Sequence, residues 1–312
     1  MRKDLLSVAD LSGDDIRLLV SRAVNMKVGN WLSILDRKIL ALIFEKPSLR
    51  TRVSFEVAMR QLGGHTIYLS PAEVGLGERE PVPDVARVVS RYVNVIVART
   101  FSHQTLETLA GYASIPVINA LSDLEHPCQA LADLLTIYEK KGELKGLTLA
   151  YIGDGNNVAN SLVLAASLVG MNFRFASPPD YRIQDRILHR AQDYAVDNGA
   201  EIFGTEEPRL AVNGADVVYT DVWTSMGQDA EAERRRQVFA GYQVDDELLS
   251  LARGDAILMH PLPAHHGQEV AEGILDCPQS VVFDQAENRM HLQKALLARM
   301  LGGLEIPLVG YR

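Results

Sequence analysis

Six short clusters in this sequence hold residues that could do chemistry together. Ser48-Leu49-Arg50-Thr51-Arg52 stands between an apolar run and a helix-periodic stretch. The free N–H groups of a helix start attract an anion, the two hydroxyls add donors, and guanidinium adds bidentate ones, so phosphate is the natural guest. The same residues also read as a Ser/Thr cap followed by two surface arginines, with Arg52 reaching Glu56 four positions on. Arg99 follows the apolar run VNVIVA and can enter a ligand site or serve as a salt-bridge partner. In His126-Pro127-Cys128-Gln129 the imidazole can donate to a carbonyl oxygen that gains charge, or shuttle a proton near neutral pH. Gln129 can orient an amide-like group, while a loop histidine before a helix is the plainer reading. Cys128 has no base partner in view other than His126, which disfavours a nucleophilic thiol.

Gly153-Asp154-Gly155-Asn156-Asn157 looks like half of a dinucleotide fingerprint. Its third glycine would fall at Val158, and the next strand ends in Ser177 rather than an acidic residue, so NAD is not expected. The loop suits presentation of Asn157 to a small polar ligand, or Asn157 capping its own helix. Asp221-Val222-Trp223-Thr224-Ser225-Met226-Gly227 offers a carboxylate to pair with an ammonium, unless Asp221 is a cap and Trp223 a core residue. His260-Pro261-Leu262-Pro263-Ala264-His265-His266 invites a metal reading, but it lacks an HExxH-type arrangement, and no metal is expected. Asp284 to Arg289 is either a solvated charged face or a way of placing Arg289 in a site. No G-x-S-x-G elbow and no phosphate loop of the nucleotide-hydrolase kind occurs.

The elements that must position these residues alternate strand and helix. The spacing predicts a helix over 12–28, a strand at Ile39 to Phe44, a helix from Val53 to Leu62, and a strand over 65–70. Helix 84–92, strand 93–100, helix 103–113, strand 115–120 and helix 129–140 follow. After the polar, glycine-containing KGELKG come strands at LTLAYI, NFRFAS, ADVVYTDV and DAILMHPLP, with a helix after the Gly-rich turn and another over 184–198. VVFDQAEN is expected as the last strand and His291 to Leu301 as a closing helix. Nearly continuous apolar strands alternating with helices indicate an α/β protein of two domains, each with a mostly parallel sheet flanked by helices. The expected division is 1–140 plus 291–312 and 141–290. In such sheets ligands sit beyond the carboxyl ends of the strands, which is where the clusters fall.

The composition agrees. The chain has 312 residues, 47% hydrophobic and 23% charged, an ordinary globular balance. Lys plus Arg less Asp plus Glu is 31 − 40 = −9, which argues against a nucleic-acid or anionic-membrane surface while leaving room for a local basic pocket. Two cysteines make no disulfide scaffold and fit a reducing compartment. No stretch reaches the roughly 20 apolar residues of a membrane span, and the start turns acidic too soon for a secretory signal. A cytoplasmic protein is expected. From the residues, it is a two-domain enzyme for a small phosphate compound and a second polar molecule. The rival is a binding module without catalysis, which multiple turnover would separate.

Taken together, the motifs resemble the ornithine carbamoyltransferases of the aspartate/ornithine carbamoyltransferase family, over essentially the whole chain. EKPSLRTRVSFE is similar to the S-x-R-T-R segment, HPCQALADLLT to H-P-x-Q, DVWTSMGQ to D-x-W-x-S-M-G, and FDQAENRMHLQKA to the closing segment. The resemblance implies a carbamoyl-phosphate domain, to which the last helix returns, an ornithine domain, and a homotrimer or a multiple of it. It implies no organic cofactor. Ser48, Arg50, Thr51 and the backbone of Leu49 would hold phosphate, and Arg99 would bridge phosphate and the carbamoyl oxygen. His126 would donate to that oxygen, Gln129 would take the carbamoyl amino group, and Arg289 would assist. Asn157, Asp221, Ser225 and Met226 would recognise L-ornithine, and the Leu262 carbonyl would meet its side-chain amine. Two positions depart from the pattern. Pro261 stands where the ornithine enzymes usually carry cysteine, the form seen in aspartate carbamoyltransferases. Gly75 stands where relatives commonly carry Gln or His reaching a neighbouring subunit, with Arg79 as the nearest substitute. Another amine acceptor is therefore the alternative.

Overall fold

The computed structural model describes residues 3–28, 33–224 and 229–302. Its strands are β1 (Ile39–Phe44), β2 (His65–Leu69), β3 (Val95–Arg99), β4 (Val117–Leu121), β5 (Thr148–Ile152), β6 (Asn172–Ala176), β7 (Ile202–Thr205), β8 (Val217–Thr220) and β9 (Ile257–Met259). Its α-helices are α1 (Gly13–Val28), α2 (Leu49–Gln61), α3 (Pro71–Val74), α4 (Val82–Val89), α5 (His103–Tyr112), α6 (Pro127–Lys141), α7 (Asn157–Val169), α8 (Asp185–Asn198), α9 (Pro208–Val212), α10 (Ala232–Val238), α11 (Asp246–Leu249) and α12 (Val282–Leu301). The chain divides into two compact units, 1–135 with 288–312 and 136–287, the boundaries falling inside α6 and α12.

The first unit holds a four-stranded parallel sheet in the order β2-β1-β3-β4. Residues 40–44 of β1 are almost fully buried on both faces, which is why that strand reads as an unbroken apolar run. Ala41, Ile43, Ile96 and Ala98 pack with Val85, Leu106 and Leu109 of α4 and α5. Leu5 bridges alongside Ile118 and covers the β4 edge. The second unit holds a five-stranded parallel sheet in the order β7-β6-β5-β8-β9. Ala150, Ile152, Val218 and Leu258 form its core with Val212, Leu248 and Val270. The α/β class with parallel sheets is as expected from the sequence.

One element differs outright. VVFDQAEN, expected as a strand, forms the start of α12. Within 281–289 the buried positions are Val281, Val282, Gln285, Asn288 and Arg289, a helical spacing, while Phe283 is exposed. Three of those buried residues are polar, so a count of apolar residues hides the helical period. The sequence reading also passed over β7, a short edge strand containing Gly204. A Cβ at Gly204 would lie 2.5 Å from the Phe175 ring, so any larger residue would have to displace that ring where β7 pairs with β6. Among the described residues no helix is long and apolar enough to cross a membrane.

Candidate active site

In the first unit the strand order reverses between β1 and β3, and this switch point is where an open parallel sheet opens a crevice. Ser48 caps α2. Its Oγ accepts from the Thr51 N–H at 3.4 Å and donates to Thr51 Oγ1 at 3.0 Å. Helix geometry leaves the N–H groups of Leu49 and Arg50 without an intrahelical acceptor. Leu49 is 77% exposed, and its apolar side chain has no donor, so its N–H is the group it can offer an anion. Thr51 Oγ1 also accepts from Nη2 of Arg289 at 2.8 Å, so α12 brings in a guanidinium from 238 residues away. Arg52 goes elsewhere. It pairs with Glu56 at 2.8 Å and stacks 3.9 Å over the Tyr68 ring, the plainer reading of that residue.

Arg99 ends β3 where the β3–β4 register slips between Ala98 and Arg99, an irregularity of the kind that re-aims a side chain. It is buried, and its Nε has no hydrogen-bond partner among the described residues. Burial first, then the Arg289 and Arg50 charges, press its pKa down from the ordinary guanidinium range to about 10. His126 precedes Pro127 at the start of α6, and its carbonyl accepts from the N–H groups of Gln129 and Ala130 at 3.1 and 3.2 Å. Burial, then Arg289 and Arg99, hold its imidazole well below the usual range, so it is neutral at physiological pH. Arg99 thus shares one electrostatic neighbourhood with Arg50, Arg289 and His126, and Arg289 ties that neighbourhood to Thr51. Gln129 donates from Nε2 to Asp133 Oδ1 at 2.8 Å, which leaves its buried Oε1 as an acceptor with no donor among the described residues. The Cys128 thiol is buried, pushed up to about 12 by that burial, and aimed at the Asn119 carbonyl. A nucleophilic role is unsupported.

In the second unit the strand order reverses between β5 and β8. The glycines after β5 serve the backbone. Gly153 has φ 134°, and a Cβ on Gly155 would lie 2.3 Å from backbone atoms of Arg182 and Ile183. Asn156 is the cap of α7, accepting from the N–H groups of Val158 and Ala159, and its Nδ2 donates to Asp221 Oδ2 at 2.8 Å. The cap is therefore Asn156, and Asn157 is the first helical residue, half-buried. The sequence reading missed Asn156, although an Asn just before an apolar helix is the usual cap signal. Asp221 is buried, which raises its carboxyl pKa. His260, the Asn156 side chain and the Val222 N–H oppose that rise, and Glu269 adds to it. Ser225 and Met226 lie outside the described residues.

The His260 ring is locked beneath β9. Its Nδ1 accepts from the Leu262 N–H at 2.9 Å, so the proton sits on Nε2, 3.2 Å from Oε1 of the buried Glu269. Its backbone N–H donates to Gln285 Oε1 at 2.9 Å. Leu262 has φ 54°, unusual for a side-chain-bearing residue, and joins Pro263 through a cis peptide. Gly75, with φ 52°, ends α3, and Arg79 donates to the Glu73 carbonyl at 3.1 Å. Among the described residues no group of three or more His, Cys, Asp or Glu could hold a metal ion.

The molecule is therefore a two-unit α/β protein with a cluster of arginines beside one switch point and a buried carboxylate, Asp221, beside the other. Family models place it further. That for the carbamoyl-P binding domain of aspartate/ornithine carbamoyltransferases matches residues 3–139, and that for the Asp/Orn binding domain matches 145–300. Among curated relatives, ornithine carbamoyltransferase of Anoxybacillus flavithermus is 53% identical over 303 residues, covering 96% of each chain. The anabolic ornithine carbamoyltransferase of Pyrococcus furiosus is 48% identical over 307 residues, covering 97% of this chain and 98% of the relative. The solved P. furiosus ornithine carbamoyltransferase superposes with a TM-score of 0.94 at 48% identity, over 97% of this chain and 98% of that one. The chain belongs to the aspartate/ornithine carbamoyltransferase family and is an enzyme of that family.

Proposed function

We propose that the protein transfers the carbamoyl group of carbamoyl phosphate to the side-chain amine of L-ornithine, giving L-citrulline and phosphate. The observation that carries this reading is the cluster of Arg50, Arg99, Arg289 and neutral His126 around the Ser48–Thr51 helix start. It supplies several cationic donors and one neutral imidazole donor in a single place. Phosphate would take the N–H groups of Leu49 and Arg50, the Ser48 and Thr51 hydroxyls and the Arg50 guanidinium. Arg99, His126 and Arg289 would meet the carbamoyl oxygen, and the Gln129 carbonyl would accept from the carbamoyl NH2.

The deprotonated amine of ornithine attacks the carbamoyl carbon and the carbonyl oxygen gains negative charge. Donors already aimed there lower the barrier. The carbon–oxygen bond to phosphate then breaks, the electron pair leaves with phosphate among the arginines, and the amine gives up its second proton. Because His126 is neutral, it assists as a hydrogen-bond donor and not as a fixed charge. Asp221, with Asn157, Ser225 and Met226, would hold the α-amino and α-carboxylate groups, and the Leu262 carbonyl would meet the attacking amine. Holding both reactants removes much of the bimolecular entropy cost. The carbamoyl-phosphate domain in this reading is 1–140 with 291–312 and the ornithine domain 141–290. The enzyme would act in the cytoplasm, in arginine biosynthesis, as a homotrimer or a multiple of it, with no cofactor.

Pro261 favours a second reading, because proline offers neither a thiol nor an N–H to the acceptor. Steady-state carbamoylation with ornithine, aspartate, putrescine, lysine and N-acetylornithine decides between them. Preference for ornithine is expected. Equal or better turnover with another acceptor would move the specificity, and no turnover by folded protein that binds carbamoyl phosphate would favour a binding role.

A further inference from the structure

In the second unit, Arg235 of α10 makes contacts that neither its position nor its neighbours in the sequence announce. Its Nη1 donates at 2.8 Å to Asp154 Oδ2 and at 2.8 Å to the Trp223 carbonyl. Its Nε faces Glu231 at 3.3 Å, and its guanidinium lies 4.7 Å from the Tyr181 ring centroid. Arg235 and Asp154 are 6% and 7% exposed. The partners come from three different connections: Asp154 follows β5, Tyr181 follows β6 and Trp223 follows β8. Phe239, the residue after α10, stacks on Trp223 and meets Tyr181 edge-on, joining two of the residues that Arg235 contacts.

Asp221 is held from both sides by this arrangement. Asn156, two residues beyond Asp154, bonds its carboxylate directly. Trp223, two residues beyond Asp221, is fixed through its carbonyl to Arg235. Asp154 and Trp223 therefore share one guanidinium nitrogen, the first two residues before the Asn156 that bonds Asp221 and the second two residues after Asp221 itself. A buried ion pair of this kind roughly breaks even in stability against apolar residues of the same volume. Its evident product is geometry.

We propose that Arg235, acting through Asp154 and the Trp223 carbonyl, is a positioning residue for the amino-acid half of the reaction. It touches no substrate. It sets the backbone that leaves β8, and with it the Asp221 carboxylate. The proposal rests on the reading that Asp221 binds the acceptor amino acid.

The test uses the full-length enzyme and the variants R235Q, R235K, D154N and R235Q/D154N. Acceptor binding is measured by calorimetry with L-norvaline, which has ornithine's carbon chain without the reacting amine, in the presence of carbamoyl phosphate. Ornithine KM and kcat and the carbamoyl phosphate Kd are measured alongside. R235Q and D154N are expected to raise the norvaline Kd and ornithine KM at least about tenfold, with the carbamoyl phosphate Kd kept within about twofold. The double variant should be no worse than the worse single, because both changes open the same clamp. R235K, which keeps the charge without the fork, should recover part of the loss. Norvaline binding at the wild-type level in R235Q or in the near-isosteric D154N would overturn the proposal. So would parallel weakening of both ligands in step with Tm. A wild-type protein that neither binds norvaline nor carbamoylates ornithine would instead overturn the functional reading beneath it.

Discussion

Arg99 offers a test in which stability and function should move in opposite directions. The guanidinium is buried, its Nε has no partner among the described residues, and Arg289 and Arg50 stand close enough to repel it. The fall of its pKa from the ordinary guanidinium range to about 10 corresponds to on the order of 3 kcal/mol charged against holding that cation in the free protein. At neutral pH the residue is protonated both folded and unfolded. The cost is therefore present at every pH below about 10, and it is relieved only as pH rises above that. Arg99→Met removes the charge and keeps a flexible apolar stem in the space. The expected Tm of the free variant equals or exceeds that of the wild type. An anion has the reverse effect on the two proteins. At 100 times its Kd, inorganic phosphate should stabilise the wild type by about 2.7 kcal/mol, or roughly 5 °C in Tm. The variant should lose most of that shift together with most of its turnover. Scanning calorimetry with and without phosphate measures both quantities. A free variant destabilised by more than about 2 kcal/mol that still shows the full phosphate shift would refute the reasoning, because Arg99 would then be a structural residue.

His126 should remain neutral down to acid pH, since burial and two arginines oppose its protonation. The unfolded chain takes up that proton near 6.5 and the folded chain does not, so this group's contribution to stability is complete above 6.5 and falls as pH drops below it. Nitrogen NMR of the imidazole at pH 6 checks this, and an imidazolium signal there would contradict it. Cys128, with its thiol near 12 rather than 9, carries about a thousandfold less thiolate than an ordinary cysteine. In a Cys277→Ser background it should react with a thiol reagent at pH 8 only after denaturation, and rapid labelling of native protein would count against its burial. Asp133 orients Gln129 through the 2.8 Å bond. Asp133→Leu should lower kcat/KM for carbamoyl phosphate about tenfold or more by freeing the amide to turn, and unchanged kinetics in folded protein would show that Gln129 needs no such guide.

Much of this was legible in the sequence because it is local. The apolar runs of β1, β3, β5 and β8 are buried on both faces, so their patterning needs no tertiary information to be read. Ser48 as a cap and Arg52 with Glu56 are contacts within one helical turn. The misread segment is instructive for the same reason. Val282 to Asn288 is helical, but its buried face is built from Gln285 and Asn288 as well as Val282, and burying polar groups depends on partners elsewhere in the chain. Asn156 was passed over in favour of Asn157 because neighbouring positions of one type differ only in which way the backbone turns.

The sequence by itself determined the class of sheet, the strand ends at which chemistry could sit, and the residue types that favour a phosphate compound. It did so through periodicity, helix-start chemistry and motif order, which are short-range properties. Tertiary structure alone decided that Arg289 meets Thr51 across 238 residues, that a register slip aims Arg99, that His126 is neutral, and that Arg235 ties Asp154 to Trp223. Charge state and side-chain direction depend on which groups surround a residue in space, and that neighbourhood exists only once distant segments have packed together.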